Sequence, residues 1–223
     1  MGVQDRKERE RNYKRELILK SARHLFKEKG VENTSMEVIA ANAEISKGAL
    51  YLYFKNKEDI YWGVVYLSLQ TLKSELQTEI SLHDNEAAQL VGIGKRYYLF
   101  SETHPEDYYY VSHFTITGNL INKHPDEMAF HCTQLALELM QLIIHILEQG
   151  QKKQYFRSDF LPERMAFLLW GEITGVIQLI NKLNRGKELI RFEPRELLHD
   201  HLSFQLKRII HEKFMGHINH FLS

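Results

Sequence analysis

The chain has 223 residues, with 29 Lys+Arg balanced by 29 Asp+Glu, 43% hydrophobic residues and a single cysteine. That length and apolar content support a packed core and exclude global disorder, while the lone Cys132 excludes an internal disulfide or a cysteine-based zinc site and suits a reducing cytosol. A formal charge of zero argues against a uniformly basic surface, but only if the charge is evenly spread.

It is not evenly spread: residues 1–60 carry +3 and the remainder −3. The first sixteen residues, MGVQDRKERERNYKRE, hold no apolar run, which predicts no signal peptide, and Arg6 stands where N-myristoylation requires Ser or Thr. Within residues 6–29, ten cations face only Glu8, Glu10, Glu16 and Glu28. This segment reads either as a phosphate-seeking arm or as a solvated helix laced with pairs such as Glu10–Lys14 and Glu16–Lys20.

Helical spacing dominates from here on, and no strand is evident, so the fold class expected is all-α. Ile18, Ala22, Leu25 and Phe26 mark one face of a first helix that should stop at Gly30. Thr34-x-x-Glu37 reads as a capping box opening a short helix whose Met36, Ile39, Ala40 and Ala43 share a face. After a turn at Glu44 and Ile45, Ser46 can cap a third short helix that buries Leu50 and Phe54. Longer helices are expected at 57–82, 86–103, 105–115, 125–151, 162–184 and 194–221. The four prolines, Pro105, Pro125, Pro162 and Pro194, each stand near a first helical position. In the 125–151 helix, Met128, Cys132, Leu135, Leu139, Leu142 and Ile146 form one stripe and Leu137, Met140 and Ile144 lie elsewhere, as in an interior helix. The longest apolar stretches, near 139–147 and 167–170, fall far short of about 20 residues, so no membrane span is expected.

Three helices in the first 55 residues, the last two short and joined by a tight turn, form a helix-turn-helix pattern. A recognition helix entering the major groove needs small residues where backbone meets bases and cations or hydroxyls for phosphates. Gly48 and Ala49 allow close approach, Lys47 brings charge, Tyr51 and Tyr53 bring phenols, and the helix N-terminus at Ser46 favours an anion. Tyr51 and Tyr53 could instead pack on the fourth helix, and Lys57 could be a solvated first-turn residue, although a cation there is disfavoured without a phosphate.

These residues resemble the TetR family of bacterial transcriptional regulators: Ile18-Leu19, Ala22, Leu25-Phe26, Gly30, Thr34-Ser35, Ile39-Ala40, Ala43, Ile45-Ser46-Lys47-Gly48, Leu50-Tyr51, Tyr53-Phe54 and Lys57-Glu58. The resemblance covers about the first 60 residues. It implies that Lys47, Gly48 and Ala49 face bases and that Thr34, Ser46, Tyr51, Tyr53 and Lys57 hold phosphates of a double-stranded DNA operator. It further implies nine to ten helices. Residues 1–56 would bind DNA, and residues 57–223 would bind a small-molecule effector and form a homodimer through the last two long helices. Glu44 departs from the pattern, because it occupies a turn position where the family commonly has Gly. A side chain at positive φ there costs roughly 1 kcal/mol or more, so a slightly adjusted turn is expected.

The C-terminal half offers shape more than chemistry. Its dense aromatics suggest an apolar cavity lined by Trp62, Tyr66, Phe100, Phe114, Cys132 and Trp170, the alternative being a packed aromatic core. Of the histidines near the C-terminus only His217 and His220 are spaced as ligands, so no metal or other cofactor is expected. Catalytic signatures are absent and an enzyme is not expected. Met165, Leu169, Ile173, Val176 and Ile180, then Leu198, Leu202, Leu206, Ile209 and Ile210, form stripes suited to a symmetric four-helix interface. Such a dimer would place two recognition helices about 34–36 Å apart and select a palindrome. The function expected is a cytoplasmic, ligand-released repressor with no membrane partner. The alternatives are the same DNA-binding fold governed by a protein partner, or a helical small-molecule carrier that does not bind DNA.

Overall fold

The computed structural model describes residues 3–114, 127–186 and 190–222. Among them are ten α-helices: α1 (Val3–Lys29), α2 (Met36–Asn42), α3 (Lys47–Tyr51), α4 (Lys57–Ser81), α5 (Glu86–Thr103), α6 (Pro105–His113), α7 (Met128–Lys152), α8 (Pro162–Leu183), α9 (Glu196–Ile209) and α10 (Ile218–Leu222). A 3-10 segment, Glu212–His217, precedes the last. The all-α expectation holds. Position 115 of the expected 105–115 helix, and the expected start at His124-Pro125, lie outside the described residues. The chain divides into two compact units, Met1–Gln70 with Glu106–Leu135, and Thr71–Pro105 with Ala136–Ser223. The boundary expected at 56/57 falls inside the first.

In the first unit the helical stripe of α1 is buried as its spacing requires, with Ile18, Leu19, Ala22, Leu25 and Phe26 meeting a core that includes Ile39, Leu50, Phe54, Ile60 and Val64. α1 ends at Gly30, whose φ of 81° is the left-handed conformation a helix stop favours. Gly63 lets α4 approach α1 closely, since a Cβ there would lie 2.7 Å from Leu19 Cδ2. From α6, Asp107 is buried and satisfied twice: Arg23 of α1 donates to its Oδ1 at 2.6 Å and Ser68 of α4 at 2.8 Å. Glu106 pairs with Arg23 and His24, and the Tyr110 hydroxyl donates to the Arg23 carbonyl.

The second unit packs α5, α8 and α9 around Tyr97, which stacks on Trp170 at 4.7 Å between ring centres. α8 begins on Pro162, as expected. The continuous helix expected over 194–221 is not formed. α9 starts at Glu196, after Pro194, and stops at Ile209, where Ile210 turns extended and bridges to Phe156. Backbone bonds Arg157 N–H to Ile209 O and His211 N–H to Tyr155 O replace the helical pattern there. An apolar periodicity that continues across such a break cannot reveal it.

α7 buries Cys132, Leu135, Leu139, Met140, Ile143, Ile144, Ile146 and Leu147, so it is apolar on more than one face, as its sequence indicates. By length and composition it is long and apolar enough to cross a membrane, which the short apolar stretches did not suggest, although more than half of that window is buried inside the protein.

The stripes expected to pair with a second copy are instead used at home. Leu169, Ile173 and Ile180 of α8, and Leu202, Leu206 and Ile209 of α9, are buried. The apolar side chains that face outward are Phe167, Leu168 and Leu179 of α8 and Phe204 of α9, the last 70% exposed.

Candidate nucleic-acid interface

The connection between α2 and α3 is built from backbone hydrogen bonds. The N–H of Ile45 reaches the carbonyl of Ala40 at 3.0 Å and that of Glu44 reaches Ala41 at 3.2 Å, the crossed pair of a Schellman stop. Such a stop needs a left-handed residue at its centre, and Glu44 adopts φ 55°. The turn is therefore not adjusted to suit its side chain; the two hydrogen bonds hold Glu44 in the strained conformation.

α3 begins immediately after this turn, capped by Ser46, whose hydroxyl oxygen accepts the N–H of Ala49 at 3.1 Å. Leu50 and Phe54 are buried, anchoring the helix to the core. Lys47, Gly48 and Tyr51 face outward and Ala49 is half-buried; Tyr51 is 48% exposed, which sets aside packing on α4 as its use. A Cβ added to Gly48 would meet nothing, so the space in front of this turn of helix is open. Lys47 forms an ion pair with Glu37 of α2. Hydrogen bonding from Lys47 pushes the Glu37 carboxyl down to about 2, and the same contact raises the lysine.

Three expected contacts take other roles. Thr34 is 1% exposed and its hydroxyl donates to the Gly30 carbonyl, so it has no surface to offer a phosphate. The helix cap falls one residue later than the sequence suggested, at Ser35, which accepts from the N–H of Val38. Lys57 donates from Nζ to the carbonyls of Val31 (2.5 Å) and Glu32 (3.3 Å). These carbonyls account for a cation at a helix start without invoking a phosphate. Tyr53 is half-buried and its carbonyl accepts from Arg15, whose guanidinium also lies 4.5 Å from the Phe54 ring centre. Arg15 and Glu37 escaped the sequence reading. Arg15 continues the α1 stripe backwards (15, 18, 19, 22), a signal that was present; nothing in the spacing marks Glu37 as a partner of Lys47.

The expected effector-site residues do not form one set. In the first unit Trp62 meets Phe114 edge-on at 6.3 Å and its carbonyl accepts from Cys132 Sγ, while Tyr66 lies beside His131. Burial pushes the Cys132 thiol up to about 12, which leaves it protonated. In the second unit Phe100 is fully buried, and Trp170 lines a narrow, partly open space. That space, of about 50 Å³, is bounded mainly by Leu90, Val91, Tyr97, Ile173, Leu202 and Gln205. It admits a water or two rather than a drug-sized molecule. Among the described residues no three His, Cys, Asp or Glu side chains gather as a metal site.

Residues 18–62 match the profile described as bacterial regulatory proteins, tetR family. The chain is 29% identical over 84 residues to the uncharacterized HTH-type transcriptional regulator YhgD of Bacillus subtilis, covering 36% of this chain and 44% of that one. It is 27% identical over 148 residues to the HTH-type transcriptional repressor NicS of Pseudomonas putida, covering 65% and 66%. The chain thus spans less than half the length of the first curated relatives it matches. The same fold is seen in AibR, solved in complex with isovaleryl coenzyme A and operator DNA, at 17% identity, TM-score 0.66, and coverage of 86% of this chain and 97% of that one.

Proposed function

We propose that the chain, whose residues 18–62 match the profile of bacterial regulatory proteins of the tetR family, is a homodimeric repressor of that family whose α3 reads a palindromic operator and which a small apolar or aromatic molecule releases. The observation that carries the proposal is the outward face of α3. Lys47, Gly48 and Tyr51 stand on a short helix that is capped by Ser46, anchored by Leu50 and fixed by the Glu44 turn. Gly48 and Ala49 leave room for base edges, and Lys47 and Tyr51 reach a base or the flanking phosphates. Thr34 is not among the proposed contacts, and Lys57 and Tyr53 act by holding the head together. The cytoplasm, where the chromosome lies, is the compartment this role requires.

A second copy completes the reading. Phe167, Leu168, Leu179 and Phe204 are large and exposed, and Gly171 and Gly175 between them have open sides, which allows a partner helix to approach closely. Pairing α8 and α9 with their copies buries this patch and brings two recognition helices to one DNA molecule. For the effector, the space of about 50 Å³ between α5, α8 and α9 has to widen to hold a drug-sized molecule. Binding there would select a different arrangement of the dimer, which is how a ligand lowers DNA affinity. AibR, solved in complex with isovaleryl coenzyme A and operator DNA, is an example of this fold engaging both a small molecule and an operator.

The test is selection of binding sites by the purified chain from random duplexes, followed by footprinting and titration. A palindrome with half-sites about one helical turn apart is expected. Tyr51→Ala and Lys47→Ala should each weaken it roughly tenfold, as expected when a phosphate or base interaction of about 1–3 kcal/mol is removed. Recovery of no preferred sequence, or full affinity in both variants, overturns the proposal.

A further inference from the structure

Residues 5–14 of α1 are exposed throughout, and the core contacts of this helix begin only at Ile18 and Leu19. A helix that is polar all round gains nothing from packing within its own chain. Residues 5–15 hold six cations against Asp5, Glu8 and Glu10. The acids do not neutralise them evenly. Glu10 pairs with Lys14 at 3.3 Å and Arg9 donates to the Asp5 carbonyl, whereas Lys7 and Arg11 form no ion pair among the described residues. Lys7, Arg11 and Arg15 stand at i, i+4 and i+8, on one face of the helix. Like charges at that spacing destabilise an isolated helix, so nothing within α1 favours the row. Arg15 fixes where the row points: its guanidinium bonds to the Tyr53 carbonyl, two residues beyond the end of the recognition helix. Lys7 and Arg11 therefore extend the same face outward from the recognition element, one and two helical turns beyond Arg15, over about 12 Å of axis.

We infer that Lys7 and Arg11 are a second DNA contact, gripping the sugar-phosphate backbone that flanks the operator half-site. The inference rests on the DNA-binding reading above and extends it from α3 to the projecting turns of α1. The occupant is chosen by charge: two unpaired cations in a row beside the recognition element meet a polyanion of regular spacing. The contact is independent of sequence, because backbone charge carries none. It lengthens the bound site without lengthening the palindrome.

The experiment uses the full chain and the palindrome recovered by selection, in two duplexes: one trimmed to the palindrome, one with about eight extra base pairs on each side. Binding is titrated from 50 to 300 mM salt for wild type, for Lys7→Gln/Arg11→Gln, and for Lys27→Gln/Lys29→Gln, which removes equal charge from the far end of α1. On the flanked duplex the Lys7/Arg11 variant should bind roughly tenfold more weakly at 150 mM. Its slope of log K against log salt should be shallower by about 0.9 for each phosphate no longer neutralised. On the trimmed duplex it should match wild type, and the Lys27/Lys29 variant should resemble wild type on both. Equal slopes for wild type and the Lys7/Arg11 variant on the flanked duplex, or an equal effect of the Lys27/Lys29 change, overturn the flank contact and leave the regulator reading standing. Binding of wild type to neither duplex overturns both.

Discussion

The Glu44 turn gives the sharpest test of the local physics. Its φ of 55° places a Cβ in a conformation that costs an L-residue about 1–2 kcal/mol. The Schellman hydrogen bonds from Glu44 and Ile45 fix the residue there, so the strain cannot relax without losing them. Glu44→Gly removes the strain but gives the unfolded chain more freedom, which takes back about 0.4–1 kcal/mol. The net expectation is stabilisation by about 0.5–1 kcal/mol, a rise of about 1–4 °C in the melting of the N-terminal unit at about 2–4 °C per kcal/mol for a chain of this size. Glu44 also lines a groove with Lys20, Arg23, His24 and Glu106, so losing its charge has an effect of its own. Thermal unfolding of Glu44→Gly, Glu44→Asn and Glu44→Ala separates the two. Gly should be the most stable, Asn intermediate because it tolerates the left-handed region, and Ala close to wild type. A gain in Glu44→Ala equal to that in Glu44→Gly would show that charge, not backbone strain, is what the substitution relieves.

Three further outcomes are expected. Gly150→Ala should destabilise the second unit by about 1–3 kcal/mol, since the added methyl lies 2.2 Å from Cδ2 of the buried Phe156 ring, which cannot swing aside as an aliphatic tip does; an unchanged denaturation midpoint would contradict this. Asp107→Ala strands Arg23 Nη1, while the Ser68 hydroxyl keeps the Val64 carbonyl as acceptor, and should cost about 2 kcal/mol in urea unfolding, with Asp107→Asn losing less because its amide oxygen still accepts. Glu37 titrates in the folded protein near 2 instead of its ordinary 4.5. Its pairing with Lys47 therefore supports the fold at neutral pH and down to about 4.5, and is lost as pH falls toward 2. Both groups are exposed, so the effect is small and should fade in high salt; Glu37→Gln should flatten that part of the melting temperature against pH, and an identical profile would refute the pairing.

Periodicity disclosed the helices whose burial follows one face: the spacing of Ile18, Ala22, Leu25 and Phe26 is enough to mark α1, and that of Leu169, Ile173 and Ile180 marks α8. It failed where backbone decides against side-chain pattern. The apolar spacing runs straight through Ile209 and Ile210, yet the chain breaks there because Phe156 offers Ile210 a bridge that no local signal announces. The stripes expected at a dimer interface lie in the core for a related reason. A helix in a multi-layered bundle carries one face for its own core and another for a partner, and the stronger stripe, Leu169, Ile173 and Ile180, goes to the core. At the α2–α3 site the residue types were legible and their internal commitments were not, since Thr34 and Lys57 find carbonyls that belong to a turn 4 to 26 residues away.

Those commitments bear on how the proposed operator contact can be made. Three cations near α3 already have acceptors: Lys47 has Glu37, Arg15 has the Tyr53 carbonyl, and Lys57 has two carbonyls of the α1–α2 turn. Arg15 and Lys57 support the core and turn on which α3 rests, so releasing them to reach a phosphate would loosen the element that does the reading. Lys47 differs, because its partner is an exposed surface acid whose pairing is worth little in water and can be exchanged for a phosphate or a guanine edge at small net cost. Glu37 then becomes a competitor: on a poor sequence Lys47 returns to it, and only a site that offers a better acceptor retains the lysine. A head charge of only +3 is consistent with this arrangement, in which discrimination comes from exchange at Lys47 and from the neutral surface of Gly48 and Tyr51. The testable consequence is that Glu37→Gln strengthens binding to random duplex more than to the selected palindrome, narrowing the ratio between them. A uniform gain on both would mean that Glu37 merely repels DNA and takes no part in the choice.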